Sequence, residues 1–588
     1  MKPNWIVIVT IVLGTVVFSA NEAFAQRKVE RLGRGMVAIN QGDGTVYVGW
    51  RLLRSDQREI AFNLYRASDD GEPIKLNDQP ISGSTNYADS KVPMDCENSW
   101  WVRPVINGME REMCLPAKLP ANAPAKQYLS IKLKGNLSVG KIGIADLDGD
   151  SVYDYVVKRP RGSIDPGTQR RSRDTFKIEA YNGRTGEFMW RTDLGWNINL
   201  GVWFSPIVVY DLDGDGKAEV ALKSAPFADA PAEAYISNNG FVLEGPEYCS
   251  ILDGMTGRET VRVDWISRGN IAGWGDDKGN RVNRNLIGVS YLDGKKPTLI
   301  VLRGTYTRMR IDAYDYADKQ LQKVWSWDGD NENPRVRGQG FHGLHSVDVD
   351  EDGRDELVIG AAVIDDKGKC LWNMAMGHPD ICYVADIDPS RPGLEIFYGF
   401  ESSQRRNGFC LVDPRTGRII WGCDHSTTHI HDWGLVGDID AESPGMELYG
   451  GEKDRSKFWL YGAQGKLLSN QNIGGHSPRA FYWTDGPIKV YCPFSYRASS
   501  SPIMKYKGPQ IGEIPGRILA IADCLGDWRE ELITVVEDEL RIYTTSIVAG
   551  TRRICLMQDA LYRMDVAMQT MGYLYPPQLS KPLGIGRN

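Results

Sequence analysis

A short acidic loop, flanked on both sides by apolar segments of strand length, recurs along this chain and constrains its fold more than any other feature. Three strong copies place carboxylates at positions 1, 3, 5 and 9 of the loop. They are Asp146, Asp148, Asp150 and Asp154; Asp211, Asp213, Asp215 and Glu219; and Asp348, Asp350, Asp352 and Glu356. Weaker copies begin at Asp386, Asp438 and Gly526. Uneven repetition of a strand–loop–strand unit is typical of β-propeller blades that carry insertions.

The spacing of these carboxylates suits a hard cation. Calcium binds about six to eight oxygen ligands, and this spacing brings several carboxylates to one point. An EF-hand would need a glutamate at position 12, but that position holds Val157, Leu222 and Ile359 in the three strong copies. The alternative is an acidic turn that is solvated and capped by its own side chains. Three near-complete copies favour structural Ca2+ that ties neighbouring blades together.

The remaining sequence pattern predicts an all-β protein with two domains. The chain of 588 residues has 63 glycines and 17 tryptophans, and long amphipathic helical patterns are few. Residues 26–120 contain short segments that alternate with period two, and we predict a fibronectin-type β-sandwich there. A linker rich in alanine and proline follows, so we assign 121–588 to the β-propeller.

Residues 1–25 have the pattern of a secretory signal peptide. A charged start precedes an apolar run, and Ala23 and Ala25 form an A-x-A cleavage pattern before Gln26. The alternative is a membrane anchor, but the run is shorter than the roughly 20 residues that span a bilayer. No later stretch reads as membrane-spanning. We therefore expect a monomer that is secreted or exported to the periplasm or cell envelope.

Charge and cysteine content argue against two classes of function. The net charge of −7, from 69 basic and 76 acidic residues, gives no basic surface for nucleic acid. The ten cysteines include no CxxC pair, which argues against a zinc site. Cys96 and Cys114 flank a strand-like segment and are candidates for a disulfide after export. The other cysteines are expected to be buried thiols.

Several local strings are more specific than the acidic repeat. They are LGWNI at 194–198, GPEY at 245–248, RGTYTR at 303–308, GQGFH at 338–342, DPSRPGLE at 388–395 and GDWREE at 526–531. With these strings the chain resembles the rhamnogalacturonan lyases of polysaccharide lyase family 11, over nearly all of the mature chain. The resemblance implies an eight-bladed propeller and an enzyme that cleaves the rhamnose–galacturonate backbone of pectin by β-elimination, with Ca2+.

β-Elimination sets requirements for the active site. A base removes the weakly acidic proton at C5 of galacturonate, while a cation neutralises the adjacent carboxylate and stabilises the enolate-like intermediate. All seven histidines fall between His342 and His476. The resemblance implies that a metal at the cleft is surrounded by His342, His378, Asp380 and Glu401, and that Tyr573 lies near the substrate.

Arginines and aromatic residues extend this set of candidates. Arg308 and Arg337 are candidates to pair with uronate carboxylates, the alternative being surface ion pairs. Trp203, Trp274 and Tyr306 are candidates to stack on sugar rings, the alternative being ordinary packing. The predicted catalytic residues are thus His342, His378, Tyr573, Arg308 and Arg337.

The resemblance also shows where this chain departs from the family. A lysine-containing string of the family is absent ahead of GDWREE, where Arg517 is the candidate substitute. The family's asparagine-rich loop is replaced here by a basic loop that contains Arg170, Arg171 and Arg173. An aspartate on an inner strand of the family is replaced by Glu179, and an arginine of the cleft is replaced by Trp433. The predicted substrate-binding residues are Glu179, Arg170, Arg171, Arg173, Trp433 and Arg517. Three clustered guanidinium groups favour a more anionic ligand.

Three functions remain open at this point. The first is an exported lyase acting on rhamnogalacturonan I or a related uronate-containing glycan. The second is a non-catalytic, calcium-stabilised propeller that binds carbohydrate or mediates adhesion. The third is hydrolysis by paired carboxylates, which depends on their separation in space.

Overall fold

The computed structural model describes residues 27–162, 174–227, 241–495 and 498–581, so the predicted signal peptide lies outside the described residues. This part of the chain consists of β-strands with one α-helix, α1, at Ala560–Met568. Short 3-10 helices lie at Ile271–Trp274, Gly329–Asn331 and Leu556–Gln558. Across the described ranges, no helix has both the length and the apolar character needed to cross a membrane. The all-β prediction is confirmed.

The N-terminal part is a β-sandwich of two antiparallel sheets. Its strands are β1 Val37–Asn40, β2 Val46–Gly49, β3 Ala61–Ser68, β4 Ile74–Lys75, β5 Asn86–Asp89, β6 Asn98–Ile106, β7 Met109–Glu110 and β8 Ala117–Leu119. One sheet has the order β1-β2-β5, and the other has the order β4-β3-β6-β7 with β8 also paired to β6. Trp50, Phe62 and Trp100 are fully buried in the core of this unit. The period-two alternation of the strands places them there.

Cys96 and Cys114, the candidates for a disulfide, are both free thiols in this structure. The Cys96 thiol donates to the carbonyl oxygen of Pro93 at 3.3 Å, whereas the Cys114 sulfur accepts the N–H of Val102 at 3.4 Å. Each sulfur has its own local backbone partner, and sequence spacing alone does not reveal this.

The strands that follow form eight four-stranded antiparallel sheets. After β9 (Tyr128–Lys132), sheet 1 contains β10 Lys141–Ala145, β11 Asp154–Arg159, β12 Lys177–Tyr181 and β13 Phe188–Asp193, and sheet 2 contains β14 Ile207–Tyr210, β15 Glu219–Ser224, β16 Tyr248–Leu252 and β17 Glu259–Asp264. Sheet 3 contains β18 Asn285–Ser290, β19 Thr298–Arg303, β20 Arg310–Ala317 and β21 Gln320–Asp328, and sheet 4 contains β22 Gly340–Val347, β23 Glu356–Gly360, β24 Ala362–Ile364 and β25 Cys370–Asn373. Sheet 5 contains β26 Pro379–Ala385, β27 Glu395–Phe400, β28 Phe409–Val412 and β29 Ile419–Gly422, and sheet 6 contains β30 Leu435–Gly437, β31 Glu447–Gly451, β32 Phe458–Tyr461 and β33 Leu467–Ser469. Sheet 7 contains β34 Arg479–Phe481, β35 Val490–Cys492, β36 Ser500–Met504 and β37 Gln510–Pro515, and sheet 8 contains β38 Ile518–Ala522, β39 Glu531–Val536, β40 Glu539–Tyr543 and β9.

Sheet 8 joins the two ends of this region. β9 pairs with β40, with Ile131 opposite Leu540 and Tyr128 opposite Tyr543. One strand thus comes from the start of the region and the other three from its end, and their pairing holds the ends together.

The acidic loops and the histidines lie at opposite ends of the first strands. The loop that starts at Asp348 follows the end of β22, whereas His342 lies near the beginning of the same strand. Each strong loop connects the first and second strands of its sheet, and its last carboxylate caps the loop from within. In sheet 2, for example, Glu219 accepts the N–H of Leu212 at 2.9 Å.

Helix α1 lies among the first strands of the sheets. It packs against β10, β14, β18, β22 and β38, and its residues 561–568 are all buried. Its buried charges are paired: Arg563 Nε donates to Glu30 at 2.6 Å, and Asp565 contacts His345 Nδ1 at 2.8 Å. The chain that leaves this helix carries Tyr573 to the end of the strands where the histidines lie.

Candidate active site

Four side chains named from the sequence come together at one point. His342 lies on β22, His378 immediately precedes β26, Asp380 lies on β26, and Glu401 follows β27. Asp380 Oδ1 is 3.2 Å from His342 Nε2 and 3.3 Å from His378 Nε2. Glu401 Oε2 is 3.3 Å from His378 Nε2. Because the strands belong to the adjacent sheets 4 and 5, residues nearly 60 positions apart converge.

Two further histidines, not selected from the sequence, complete this cluster. His431 Nδ1 lies 3.2 Å from Asp380 Oδ2, and His429 Nε2 lies 3.5 Å from Glu401 Oε1. They belong to the string HIHDW that precedes β30. The signal available in the sequence was a pair of histidines separated by a single residue, which places both side chains on the same side of an extended segment. We call His342, His378, Asp380, Glu401, His429 and His431 the histidine cluster.

The donor atoms of the histidine cluster fit a cation. Five of its buried polar atoms make no hydrogen bond of good geometry, although four of them lie within 3.5 Å of another cluster atom: His342 Nδ1, Asp380 Oδ1, Glu401 Oε2, His429 Nε2 and His431 Nδ1. Buried polar groups that crowd together without well-directed hydrogen bonds are costly, and a cation among them would satisfy them. Burial, reinforced by His378, lowers the pKa of His342 to about 3, so its imidazole is neutral and able to ligate. A neutral imidazole beside carboxylates is a suitable donor set for a divalent cation.

Aromatic residues pack directly on the cluster. Tyr306 donates to or accepts from His342 Nε2 at 3.1 Å, and its ring centroid lies 4.3 Å from that of His378. The rings of Trp203 and Tyr573 lie 4.8 and 4.6 Å from the ring of His342. Trp274, in contrast, is buried and donates to the carbonyl of Arg268 at 2.6 Å, which places it in the packing.

The predicted catalytic arginines are engaged by carboxylates. Arg308 Nη2 contacts Asp328 at 2.5 Å, and Arg337 Nη2 contacts Asp330 at 2.5 Å. Two other guanidinium groups lie next to the cluster: that of Arg284, 5.2 Å from the ring of Trp203 and 5.1 Å from that of Tyr306, and that of Arg281, 3.9 Å from the ring of Tyr306. The sequence offered no signal that distinguished Arg284 from the other arginines.

Glu179 is not placed to contact a substrate. Its side chain is fully buried and binds Arg159 at 2.9 Å, Arg191 at 2.5 Å and the Tyr181 hydroxyl at 2.7 Å. All of its charge is compensated inside sheet 1, so the predicted substrate-binding role is corrected to a structural one. Arg170, Arg171 and Arg173 lie outside the described residues.

Trp433, Arg517 and Tyr573 line a common cavity beside the histidine cluster. The ring of Trp433 lies 5.0 Å from the ring of Tyr573. Tyr573 also contacts the ring of His342, so it lies between this cavity and the histidine cluster. The structure thus brings these two predicted substrate-binding residues next to a predicted catalytic residue.

Each strong acidic loop gathers three carboxylates. Within each set, the ligand atoms lie within 4.8 Å of one another: Asp146, Asp148 and Asp154; Asp211, Asp213 and Glu219; Asp348, Asp350 and Glu356. Burial and the neighbouring carboxylates raise the pKa of Asp154 to about 7 and those of Glu219 and Glu356 to about 9. A bound cation would remove this repulsion.

The fifth-position aspartates bind backbone groups. Asp150, Asp215 and Asp352 accept the N–H groups of Val152, Lys217 and Arg354 at 2.8 to 2.9 Å. They shape their loops and are not part of the close carboxylate sets.

Two of the weaker acidic loops contain a cation from the protein itself. Lys507 Nζ binds Asp440 at 2.8 Å, and Arg529 Nη2 binds Asp527 at 2.7 Å. The Asp527 carboxylate also accepts the hydroxyl of Tyr47 from the sandwich at 3.0 Å. These loops are therefore closed by ammonium and guanidinium groups.

Two strings that carry the family resemblance meet in a buried charge cluster. Glu247, in GPEY, binds Arg303, in RGTYTR, and also Lys223 at 2.5 Å and Arg268 at 2.9 Å. Burial opposes ionisation of Glu247, but the three cations together lower its pKa to about 2. The strings are thus tied together by an ion-pair network that holds sheets 2 and 3 beside the site.

Family models match almost the whole chain. The model described as rhamnogalacturonan lyase family 11, C-terminal domain, matches residues 116–588, and the rhamnogalacturonan I lyases beta-sheet domain matches residues 27–119. This chain belongs to rhamnogalacturonan lyase family 11. It is 36% identical to rhamnogalacturonan endolyase YesW of Bacillus subtilis, with 98% of this chain and 95% of the relative covered. It is 33% identical to the exolyase YesX of the same organism, with 95% and 96% covered.

Solved structures of family 11 lyases share this fold. The crystal structure of the exotype lyase YesX matches with a TM-score of 0.87 at 31% identity, covering 96% of this chain and 98% of that chain. The Bacillus licheniformis lyase matches with a TM-score of 0.84 at 35% identity, with the same coverage. Membership in a family of lyases over the full described length favours the enzyme over the binding-only propeller and the hydrolase.

Proposed function

We propose that this chain cleaves rhamnogalacturonan I, or a closely related uronate-containing glycan, by cation-assisted β-elimination at the histidine cluster. The observation that carries the proposal is the contact of Tyr573 with both His342 and the cavity beside it. The relatives that cover the whole chain are named as an endolyase and an exolyase for rhamnogalacturonan.

The geometry suggests a role for each group. A cation held by the histidine cluster would neutralise the galacturonate carboxylate and make the C5 proton more acidic. Arg284, over the rings of Trp203 and Tyr306, is placed to add positive charge at the same carboxylate. A base takes the C5 proton, the C4–C5 double bond forms, and the bond from C4 to the glycosidic oxygen breaks while that oxygen takes up a proton.

Tyr573 is our candidate for the proton transfer. Among the described residues, it is the titratable side chain that touches both the histidine cluster and the cavity. A positioned acid or base contributes about 10²–10⁴-fold to a rate. His342 is a poor base, because burial keeps its pKa near 3 and a ligand role would occupy its lone pair.

The wider architecture in this proposal is an eight-bladed propeller of residues 121–588 after a fibronectin-type sandwich of 26–120. The eight sheets, their closure by β9 and the central position of α1 support it. Calcium in the three strong acidic loops and export through a signal peptide at 1–25 belong to the same proposal. The carboxylate sets support the calcium, and the A-x-A pattern supports the export.

A direct assay tests the proposed chemistry. Elimination leaves a C4–C5 double bond conjugated to a carboxyl group, which absorbs in the ultraviolet, whereas hydrolysis does not. Purified protein with calcium should generate this absorbance from rhamnogalacturonan I across neutral to alkaline pH. New reducing ends without the absorbance would indicate hydrolysis, and neither signal would contradict the proposed activity.

A further inference from the structure

The cavity beside Tyr573 is lined by five basic residues. They are Lys141, at the start of β10; Lys158, in β11; Arg161, just after β11; Arg479, at the start of β34; and Arg517, before β38. Its described lining residues include no aspartate or glutamate. A lining with charge of one sign favours an anionic ligand.

The two lysines are buried against neutral partners. Lys141 Nζ donates to the carbonyl of Met571 at 3.2 Å, and Lys158 Nζ donates to the carbonyl of Gly201 at 3.1 Å. Both lysines are more than nine-tenths buried. Among the described residues, neither lysine forms an ion pair with a carboxylate. Buried ammonium groups without a counter-charge are rare in proteins because their desolvation is costly.

The neighbouring charges make this burial less favourable still. Burial lowers the pKa of Lys141, and the nearby Arg517, Lys158 and Arg479 lower it further. Burial also lowers the pKa of Lys158 to about 7. The guanidinium of Arg479 lies over Phe494 at 4.5 Å and over Trp433 at 5.6 Å, so aromatic faces offset part of its repulsion. An anion in the cavity would offset the charge of Lys141 and Lys158.

We propose that this cavity, which we call the cationic cavity, binds a second carboxylate of the glycan, on a galacturonate next to the one held at the histidine cluster. The proposal rests on the proposed function for its choice of anion. In an alternating rhamnose–galacturonate backbone, carboxylates recur one disaccharide apart. Tyr573 stands between the two sites, so the glycan crosses this tyrosine with one carboxylate on each side.

The consequence is that Lys141 and its neighbours select uronate and contribute no chemistry. Lys141→Gln keeps a polar group of similar length but removes the charge. It also removes a charge that is costly to bury, so the variant should melt at the same temperature as wild type or higher. A lysine that served only the structure would show the opposite effect.

Calorimetry with two matched ligands tests this inference. One ligand is a rhamnogalacturonan oligosaccharide, and the other is the same oligosaccharide with its carboxyl groups reduced to alcohols. Lys141→Gln should weaken binding of the intact oligosaccharide by at least about tenfold and leave the reduced one within about twofold. Lys132→Gln, which removes an exposed lysine paired with Asp538, is the control and should match wild type.

Other results of these measurements would overturn the inference. Equal losses for both ligands, or a lower melting temperature, would assign Lys141 to the structure and overturn the inference. Arg517→Gln, at the less buried side of the cationic cavity, repeats the test if Lys141→Gln does not fold. Retained preference for the intact ligand in both variants also overturns it. Wild type that forms no unsaturated product would contradict the proposed function, while the calorimetric comparison still decides the anion site.

Discussion

The backbone N–H of Tyr573 donates a hydrogen bond to the carbonyl oxygen of His342, 3.3 Å away, so the candidate proton-transfer residue is held by a member of the histidine cluster. Gly572 makes this contact possible. It has a φ of 56°, and a Cβ at this position would lie 2.1 Å from the same carbonyl oxygen. The position of Tyr573 is therefore fixed by backbone geometry before any substrate binds.

Replacing Tyr573 by phenylalanine should reduce turnover and leave the fold intact. The ring keeps its contacts with His342 and Trp433, and only the hydroxyl is lost. If this hydroxyl transfers a proton, the initial rate of product absorbance should fall about 10²–10⁴-fold. Tyr316→Phe, on the remote strand β20, serves as the control and should keep the wild-type rate. A Tyr573→Phe variant with wild-type turnover would exclude this role.

Substitutions at the two kinds of cation site should affect different properties: those in the histidine cluster should lower turnover, and those in the acidic loops should lower the melting temperature. His342→Ala and His378→Ala remove donors from the histidine cluster and should lower turnover by about two to three orders of magnitude, with melting temperatures close to wild type. Asp211→Ala removes a loop carboxylate and should lower the melting temperature first. Bound metal, counted by mass spectrometry, should fall in all three variants. If all three variants lost turnover and melting temperature to the same extent, the distinction between a catalytic cation site and structural cation sites would be contradicted.

Removal of calcium should destabilise the protein more as the pH rises. In the metal-free protein, the pKa of Glu219 is raised to about 9 from an ordinary value near 4.5. A raised pKa contributes stability below the ordinary value, and this contribution is lost as the pH increases through about 9. The gain in melting temperature on adding calcium to dialysed protein should thus grow from pH 5 to pH 9. A gain that is constant with pH, or absent, would count against calcium in these loops.

Glu247→Gln should strongly destabilise the fold. It leaves Arg303, Lys223 and Arg268 buried without their counter-charge, a change that costs about 3–5 kcal/mol. Since the pKa of Glu247 is lowered to about 2, its contribution is present above pH 4.5 and is lost as the pH falls toward 2. Denaturant titrations of wild type and variant should therefore converge at low pH. Glu187→Gln, which changes an exposed glutamate, is the control. If Glu247→Gln lowered the free energy of unfolding as little as Glu187→Gln, the ion-pair network would not be important for stability.

The sequence revealed features whose chemistry is local and missed those that depend on distant strands. The acidic loops could be recognised because each set of carboxylates is contained in nine consecutive residues. Lys141 and Arg479 could not be linked, because they meet only when sheets 1 and 7 are assembled. Glu179 was misassigned because its partner Arg159 lies on the neighbouring strand β11 and takes up its charge. Four of the six members of the histidine cluster were recognised through the family resemblance, whereas His429 and His431 were missed.

The pairing of β9 with β40 also bears on how this protein is made. More than 400 residues separate Lys132 from Glu539, so β9 leaves the ribosome long before its partner exists. Until then it is an unpaired edge, open to pairing with another chain. A product truncated before β40 would contain seven complete sheets and still be prone to aggregate. Synthesis of this chain must therefore protect that edge until the final strands arrive.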